Sequence, residues 1–129
     1  MQKANLTASP YQYFSLEELS CRHCGEMHMD SGFMAKLVAI RRELGFPLPV
    51  TSGYRCPAHN AAVSETGING PHTTGHAVDI AISGERAYRL LRAALAHGMT
   101  GIGIKQHGDG RFIHLDDLDG PTRPWIWGY

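Results

Sequence analysis

The stretch GPHTTGHAVDI, residues 70–80, decides how this chain is read. Its second half, continued by Ala81 and Ile82, alternates in the manner of a strand, so Val78, Ile80 and Ile82 are expected on a core face and Asp79 on the other. Its first half is a glycine-bounded turn that carries His72, with His76 at the join. A turn of this kind can fold either imidazole back beside the strand that follows. The same parity in RFIHLDD, residues 111–117, sends Ile113 and Leu115 to one face and Phe112, His114 and Asp116 to the other. Two strands thus each present a metal-type ligand on a non-core face. Two imidazoles and a carboxylate are the set that holds a catalytic Zn²⁺ with a fourth position open, whereas a structural site is closed by a fourth protein ligand. On the residues alone the alternatives stay open: a solvated histidine in a glycine-rich loop, and an aspartate capping a turn.

Outward from this segment the elements follow from periodicity. Ser15 followed by Glu18 in FSLEEL is a capping box that starts a short helix near residue 16. Phe33, Leu37, Ile40 and Leu44 recur at helical spacing from Ser31 and stop at Gly45, ahead of Pro47. LPVTSGY reads as a short strand entering a turn, and NAAVSETGINGPHTTG as a long loop with one helical turn at its start. SGERAYRLLRAALAHG has helical apolar spacing, with Ser83 as cap and Gly98 as stop. GIGIKQ and RFIHLDD make two further strands joined by HGDG, before a tail with Pro121, Pro124, Trp125, Trp127 and Tyr129. The expected architecture is a single α+β domain, residues 1–129. It has a small, mostly antiparallel sheet of LPVTS, HAVDIAI, GIGIKQ and FIHLD, with the helices of residues 31–44 and 84–97 on one face and the metal on the opposite face.

Composition bounds the rest. A chain of 129 residues with 43% hydrophobic and 19% charged content makes one domain that buries roughly two-thirds of its unfolded surface. Twelve basic and twelve acidic residues cancel, so no net field draws the chain to nucleic acid or to an anionic membrane. The start, MQKANLTASPYQYF, shows neither an apolar signal region nor a cleavage site, and no apolar run approaches a membrane span, which leads to an expectation of cytoplasmic synthesis; separately, a monomer is expected. Three cysteines cannot all pair within one chain, which argues for free thiols or metal ligation.

VTSGYRCPAHN, HTTGHAVDI and FIHLD, in that order, resemble the M15 group of zinc D-alanyl-D-alanine peptidases, in particular short phage and bacterial peptidoglycan peptidases. Their patterns are S-G-Y-R-x-P-x-x-N, S-x-H-x-x-G-x-A-x-D and H-x-D, and the likeness runs from about Phe14 to the last strand. The resemblance implies the fold shared with hedgehog signalling domains, a zinc cofactor and peptidoglycan stem peptides as substrate. Residue by residue it makes His72, Asp79 and His114 the zinc ligands, with Gly75 the turn residue and Ala77 a small packing position. It chooses His72 over His76. Arg55 takes the place of an arginine that approaches the substrate, where a planar fork of donors suits a carboxylate or a peptide carbonyl. Ser52, Tyr54 and Asn60 match the same motif, with Ser52 and Asn60 as loop-fixing hydrogen bonders on the substrate side and Tyr54 as packing.

Two departures stand out. Gly70 replaces the serine two residues before the first histidine ligand, and Arg111 stands where several relatives place an acidic general base. Asp116 shares a strand face with His114 and is the acid expected to serve as base. Asp109 and His107 in the adjoining turn are competitors, and Asp116 has a second possible role in orienting the His114 ring. The implied chemistry is metal-assisted amide hydrolysis, with Arg55 holding substrate and stabilising the oxyanion. It would be an endolysin-like activity, cutting either a terminal D-alanine or an internal stem bond, that reaches the wall through a lysis system or a virion. The alternative from another class is a catalytically inactive zinc-containing binding module of the same fold. Spacing alone suggests one site more: Cys21 and Cys24 form C-x-x-C, and Cys56 with His59 forms C-x-x-H, together the Cys₃His set of a closed structural zinc. Against it stand reduced thiols in a hairpin loop and a turn histidine, with His23 and His28 as competing ligands.

Overall fold

The computed structural model describes residues 9–129. Its first element, α1 (Leu16–Leu19), begins at the expected capping box: the Ser15 side chain accepts from the Glu18 amide, and Glu18 reaches back to the Ser15 amide. The long helix α2 (Ser31–Leu44) is capped by Asp30, whose carboxylate accepts from the Phe33 amide at 2.9 Å, and ends at Gly45 in the left-handed conformation. Strand β1 (Val50–Ser52) follows, then α3 (Pro57–Val63), two single 3₁₀ turns (Gly67–Asn69 and Pro71–Thr74) and β2 (Ala77–Ala81). Helix α4 (Gly84–Ala96), β3 (Gly101–Lys105), β4 (Phe112–Asp116) and β5 (Trp125–Gly128) complete the chain.

All four expected strands form, and the sheet order is β1-β2-β4-β3-β5. Three pairings are antiparallel, but β5 runs parallel to β3, so the sheet is mixed and five-stranded. This corrects the expectation of a small, mostly antiparallel sheet of four strands. The fifth strand comes from the aromatic tail: Trp125 and Trp127 alternate in the strand manner, yet a parallel edge is recognisable only once its distant partner is known. A second correction concerns residues 57–63, which make two turns of helix rather than one, with Pro57 at the first helical position.

Parity holds where it was read. Val78, Ile80, Ile113 and Leu115 are buried in one core with Phe33, Met34, Leu37 and Ile40 of α2 and Leu90, Ala93 and Ala94 of α4. Burial of such side chains is worth about 1.5–3 kcal/mol each before entropy is counted, enough to fix which face of β2 and β4 is dry. The opposite face is thereby left to Asp79, His114 and Asp116. Among the described residues no helix is long and apolar enough to cross a membrane.

Candidate metal centre

The central ligand pair is a direct product of strand register. Asp79 on β2 and His114 on β4 are cross-strand partners, so their side chains leave the same face side by side. His72 is delivered by the Pro71–Thr74 turn. There the Thr73 hydroxyl bonds the Gly70 carbonyl at 2.7 Å and Thr74 the Pro71 carbonyl at 2.6 Å. The turn closes through Gly75 at φ +78°, where a Cβ would also run into the His28 carbonyl, so only glycine fits. Gly70 is required on packing grounds: a Cβ there would overlap the Thr66 hydroxyl and the Asn60 amide. The serine of the resembled pattern therefore has no room in this chain.

Each imidazole is fixed in one tautomer by its outer nitrogen. His72 Nδ1 lies 2.9 Å from the Gly53 carbonyl, which can only accept, so Nδ1 carries the proton and Nε2 presents a lone pair. His114 Nε2 donates to Asp116 Oδ2 at 2.7 Å, which leaves the lone pair on Nδ1. Both lone pairs face the same atom, Asp79 Oδ1, at 3.2 Å from His72 Nε2 and 3.1 Å from His114 Nδ1. Three acceptors pointed at one spot repel one another unless a positive charge sits among them, either a metal ion or, in metal-free protein, a proton donated to Asp79 Oδ1. His72, Asp79 and His114 accordingly qualify together as a metal-binding group, each offering one ligand atom within 4.8 Å of the others.

The surroundings stiffen this set. Arg55 donates through Nε to Ser52 (3.0 Å), through Nη1 to Asn60 (3.1 Å) and through Nη2 to Asp79 Oδ2 (3.4 Å), which directs Oδ1 toward the imidazoles. Its amide also donates to the His72 carbonyl at 3.0 Å. Asp116 accepts a bidentate fork from Arg123, Nε at 2.9 Å and Nη2 at 2.8 Å, while holding His114. Burial acts to raise both carboxyl pKa values, but hydrogen bonds to the imidazoles outweigh it. Asp79 falls below the usual carboxylate range, and Asp116, with Arg123 adding its share, falls to about 2. Burial lowers the His114 pKa, yet Asp116 and Asp79 together raise it.

The structure sorts the expected site residues. His72, Asp79 and His114 converge, whereas His76 points away, its Nδ1 2.8 Å from Asp117. Ser52 and Asn60 hydrogen-bond Arg55 and do not line the cleft; Asn60 is fully buried and also donates to Thr66 and Gly67. Asp116 is 0% exposed with both oxygens occupied, a geometry that suits holding a ring more than exchanging protons with a cleft. Neither alternative base enters the cleft, for His107 bonds the Tyr129 carbonyl at 3.0 Å and Asp109 sits in the exposed β3–β4 turn. Cys21, Cys24 and Cys56 come together, and neither His59 nor His23 lies within 4.8 Å of all three sulfurs. The Cys56–His59 spacing serves a helix cap instead, with the His59 amide donating to the Cys56 sulfur at 3.4 Å.

Sequence reasoning missed Arg123 and Trp127. The Trp127 ring lies 5.1 Å from that of His114, and the Arg123 guanidinium stacks 5.2 Å above the same indole. Their room comes from β3, where GIGI places glycine on the site face: a Cβ at Gly101 would overlap the Asp116 carboxylate, and one at Gly103 would stand 2.6 Å from Trp127 Nε1. That alternation was the available signal. Above the ligands lies a cleft of about 810 Å³ lined by Arg55, Thr66, Pro71, Trp125, Trp127 and Tyr129 among others, with Glu65 on its edge.

Two imidazoles and a carboxylate opening onto such a cleft form a donor set that could hold a metal ion with a position left open. The family model for peptidase M15 matches residues 12–116, and the chain belongs to that family. No curated protein matches it. The matched region ends at Asp116, so Arg123 and the aromatic strand β5 extend beyond it.

Proposed function

We propose that this chain is a zinc-dependent peptidase that hydrolyses peptidoglycan stem peptides, as a D-Ala-D-Ala carboxypeptidase or an endopeptidase of the endolysin kind. The observation that carries the reading is the convergence of three acceptors, His72 Nε2, Asp79 Oδ1 and His114 Nδ1, each locked from behind by a partner of fixed polarity. N and O donors in this number suit zinc with one open position. When bound, zinc supplies Lewis-acid chemistry, making water nucleophilic at neutral pH and polarising a carbonyl.

The chain's own residues do the rest. Arg55 spends three of its five donors on Ser52, Asn60 and Asp79, and the remaining two are free for a substrate carbonyl or carboxylate. Asp116 orients His114 and keeps its proton on Nε2. The proton-accepting role falls to Glu65, which with Asp79 supplies the carboxylate side chains lining the cleft. Trp125, Trp127 and Tyr129 offer an apolar wall for the alanine methyls of a stem peptide. The fold is proposed to be the one shared with hedgehog domains, the protein to act as a monomer, and the wall to be reached through lysis or from a virion.

One observation favours a second reading, a binding module that keeps zinc without catalysis: Arg111 stands three residues before His114, and Asp116 is wholly engaged. Purified peptidoglycan and a synthetic stem peptide separate the two. The peptidase reading expects free amino groups to appear with the zinc-loaded protein, to stop with chelator and to return with added zinc, and mass analysis of products shows which bond is cut. Zinc retained without any release would establish the binding module.

A further inference from the structure

The cysteine cluster lies apart from the cleft, and nothing in the proposed hydrolysis uses it. Cys21 and Cys24 sit on a tight loop after α1. The Cys21 amide donates to the Glu26 carbonyl at 2.8 Å, the Gly25 amide donates back to the Cys21 carbonyl at 2.9 Å, and Gly25 takes φ +77°. A C-x-x-C-G turn closed this way directs two side chains to one side of the loop. Cys56 arrives from a different part of the chain, the loop between β1 and α3, and its sulfur joins the other two with all three within 4.8 Å of one another.

Several features fit thiolates around an ion. Backbone amides already donate to sulfur, Cys56 N–H to Cys21 Sγ at 3.3 Å and His59 N–H to Cys56 Sγ at 3.4 Å. These bonds stabilise negative charge on sulfur and orient it. An imidazole borders the group as well, for His23 Nδ1 lies 3.5 Å from Cys56 Sγ, close to the roughly 3.6 Å that a tetrahedral zinc sets between a nitrogen and a sulfur ligand, although it is not within 4.8 Å of all three sulfurs and must turn toward the other two to complete the site. The His59 ring is stacked on His23 with centroids 5.8 Å apart, while its backbone amide is the group that bonds the Cys56 sulfur. An odd number of cysteines also leaves one thiol over in any disulfide scheme.

We propose that Cys21, Cys24 and Cys56 hold a second, structural Zn²⁺, with His23 as the fourth ligand. Four protein ligands close the coordination sphere, so this ion takes no part in hydrolysis. Its effect is positional. Cys56 caps α3 and directly follows Arg55, while the N-terminal segment meets the same loop through the Tyr54 amide on the Leu19 carbonyl at 3.1 Å. The ion clamps these two segments together behind the guanidinium that fixes Asp79. It stands independently of the peptidase reading.

Cobalt substitution of the unmutated 129-residue chain tests this directly. Thiolate ligation gives an intense sulfur-to-cobalt charge-transfer absorption that a site of imidazole and carboxylate ligands cannot give. The expected result is that absorption, with two metal ions per chain. The Cys21→Ser/Cys24→Ser protein should lose the absorption and one ion, and Cys24→Ser alone, at an exposed residue, serves if the double variant fails to fold. His72→Ala should lose one ion and keep the absorption, so failure of the catalytic site is distinguishable from failure of this one. His23→Ala should weaken the thiolate-bound metal, whereas His59→Ala should not. Absence of the absorption in the wild type, or a Cys21–Cys24 disulfide in unreduced protein by mass spectrometry, would overturn the site. Weakening by His59→Ala instead of His23→Ala would overturn the assignment of the fourth ligand.

Discussion

At the scale of single residues the account depends on which nitrogen of each histidine is free. His72, Asp79 or His114 changed to alanine is expected to abolish hydrolysis and binding at this site. His76→Ala should keep both, because that ring is occupied with Asp117 and Asp30; zinc titration and an amino-release assay check the contrast. Arg55→Ala removes the grip on Asp79 Oδ2 and a guanidinium that lines the cleft. It should lower kcat/KM by about 10²-fold with zinc still bound, the size of loss seen when an oxyanion donor is deleted. Asp116→Asn leaves the Arg123 guanidinium without its counter-charge and no longer dictates the His114 tautomer. A zinc affinity weaker by about 10–100-fold is expected, and unchanged affinity with lost activity would return Asp116 to the role of base.

At the scale of elements, β3 is the strand whose small residues shape the site. Gly101 faces Asp116 across the β3–β4 pairing and Gly103 faces His114. Gly101→Ala inserts a Cβ where the carboxylate sits, which should cost about 1–3 kcal/mol and reduce zinc affinity together, read by thermal melting and metal titration. Much of this layer was legible beforehand. Period-two alternation in HAVDIAI and RFIHLDD gave both strands and the face of each ligand, capping chemistry gave the start of α1, and apolar periodicity gave that of α2. The glycine face of β3 was not legible as part of a site, since an absent side chain carries no chemical label until its neighbours are placed. Nor was β5: its pairing partner is some twenty residues away in sequence, and parallel register leaves no local turn signal. Helix α3 was understated because a cysteine cap is an unusual start and the residues after it are rich in Ser, Thr and Gly.

At the scale of the whole molecule, the buried charges make stability depend on pH and metal together. In metal-free protein the lowered carboxyls of Asp79 and Asp116 stabilise the fold above their ordinary value of 3.8, and that contribution is lost as pH falls through their folded values. His114, raised above 6.5, stabilises below that value and loses its contribution as pH rises through the folded one. The chelated protein should therefore melt highest between about pH 4 and 6.5. Zinc needs neutral imidazoles, so the Tm gained by adding it should grow from pH 5 to pH 8, toward the shift that about 4 kcal/mol of added stability gives where free zinc exceeds Kd a thousandfold. A chelated protein that melts higher at pH 8 than at pH 6 would contradict the linkage. The central claim, that this sheet face assembles an open zinc site from His72, Asp79 and His114, is tested most directly by anomalous diffraction at the zinc edge from crystals of the loaded protein. The account predicts a peak about 2.0–2.2 Å from His72 Nε2, Asp79 Oδ1 and His114 Nδ1, with Asp116 still accepting from His114 Nε2. A site without a peak, or an ion on His76 or on His114 Nε2 with Asp116 released, would contradict it.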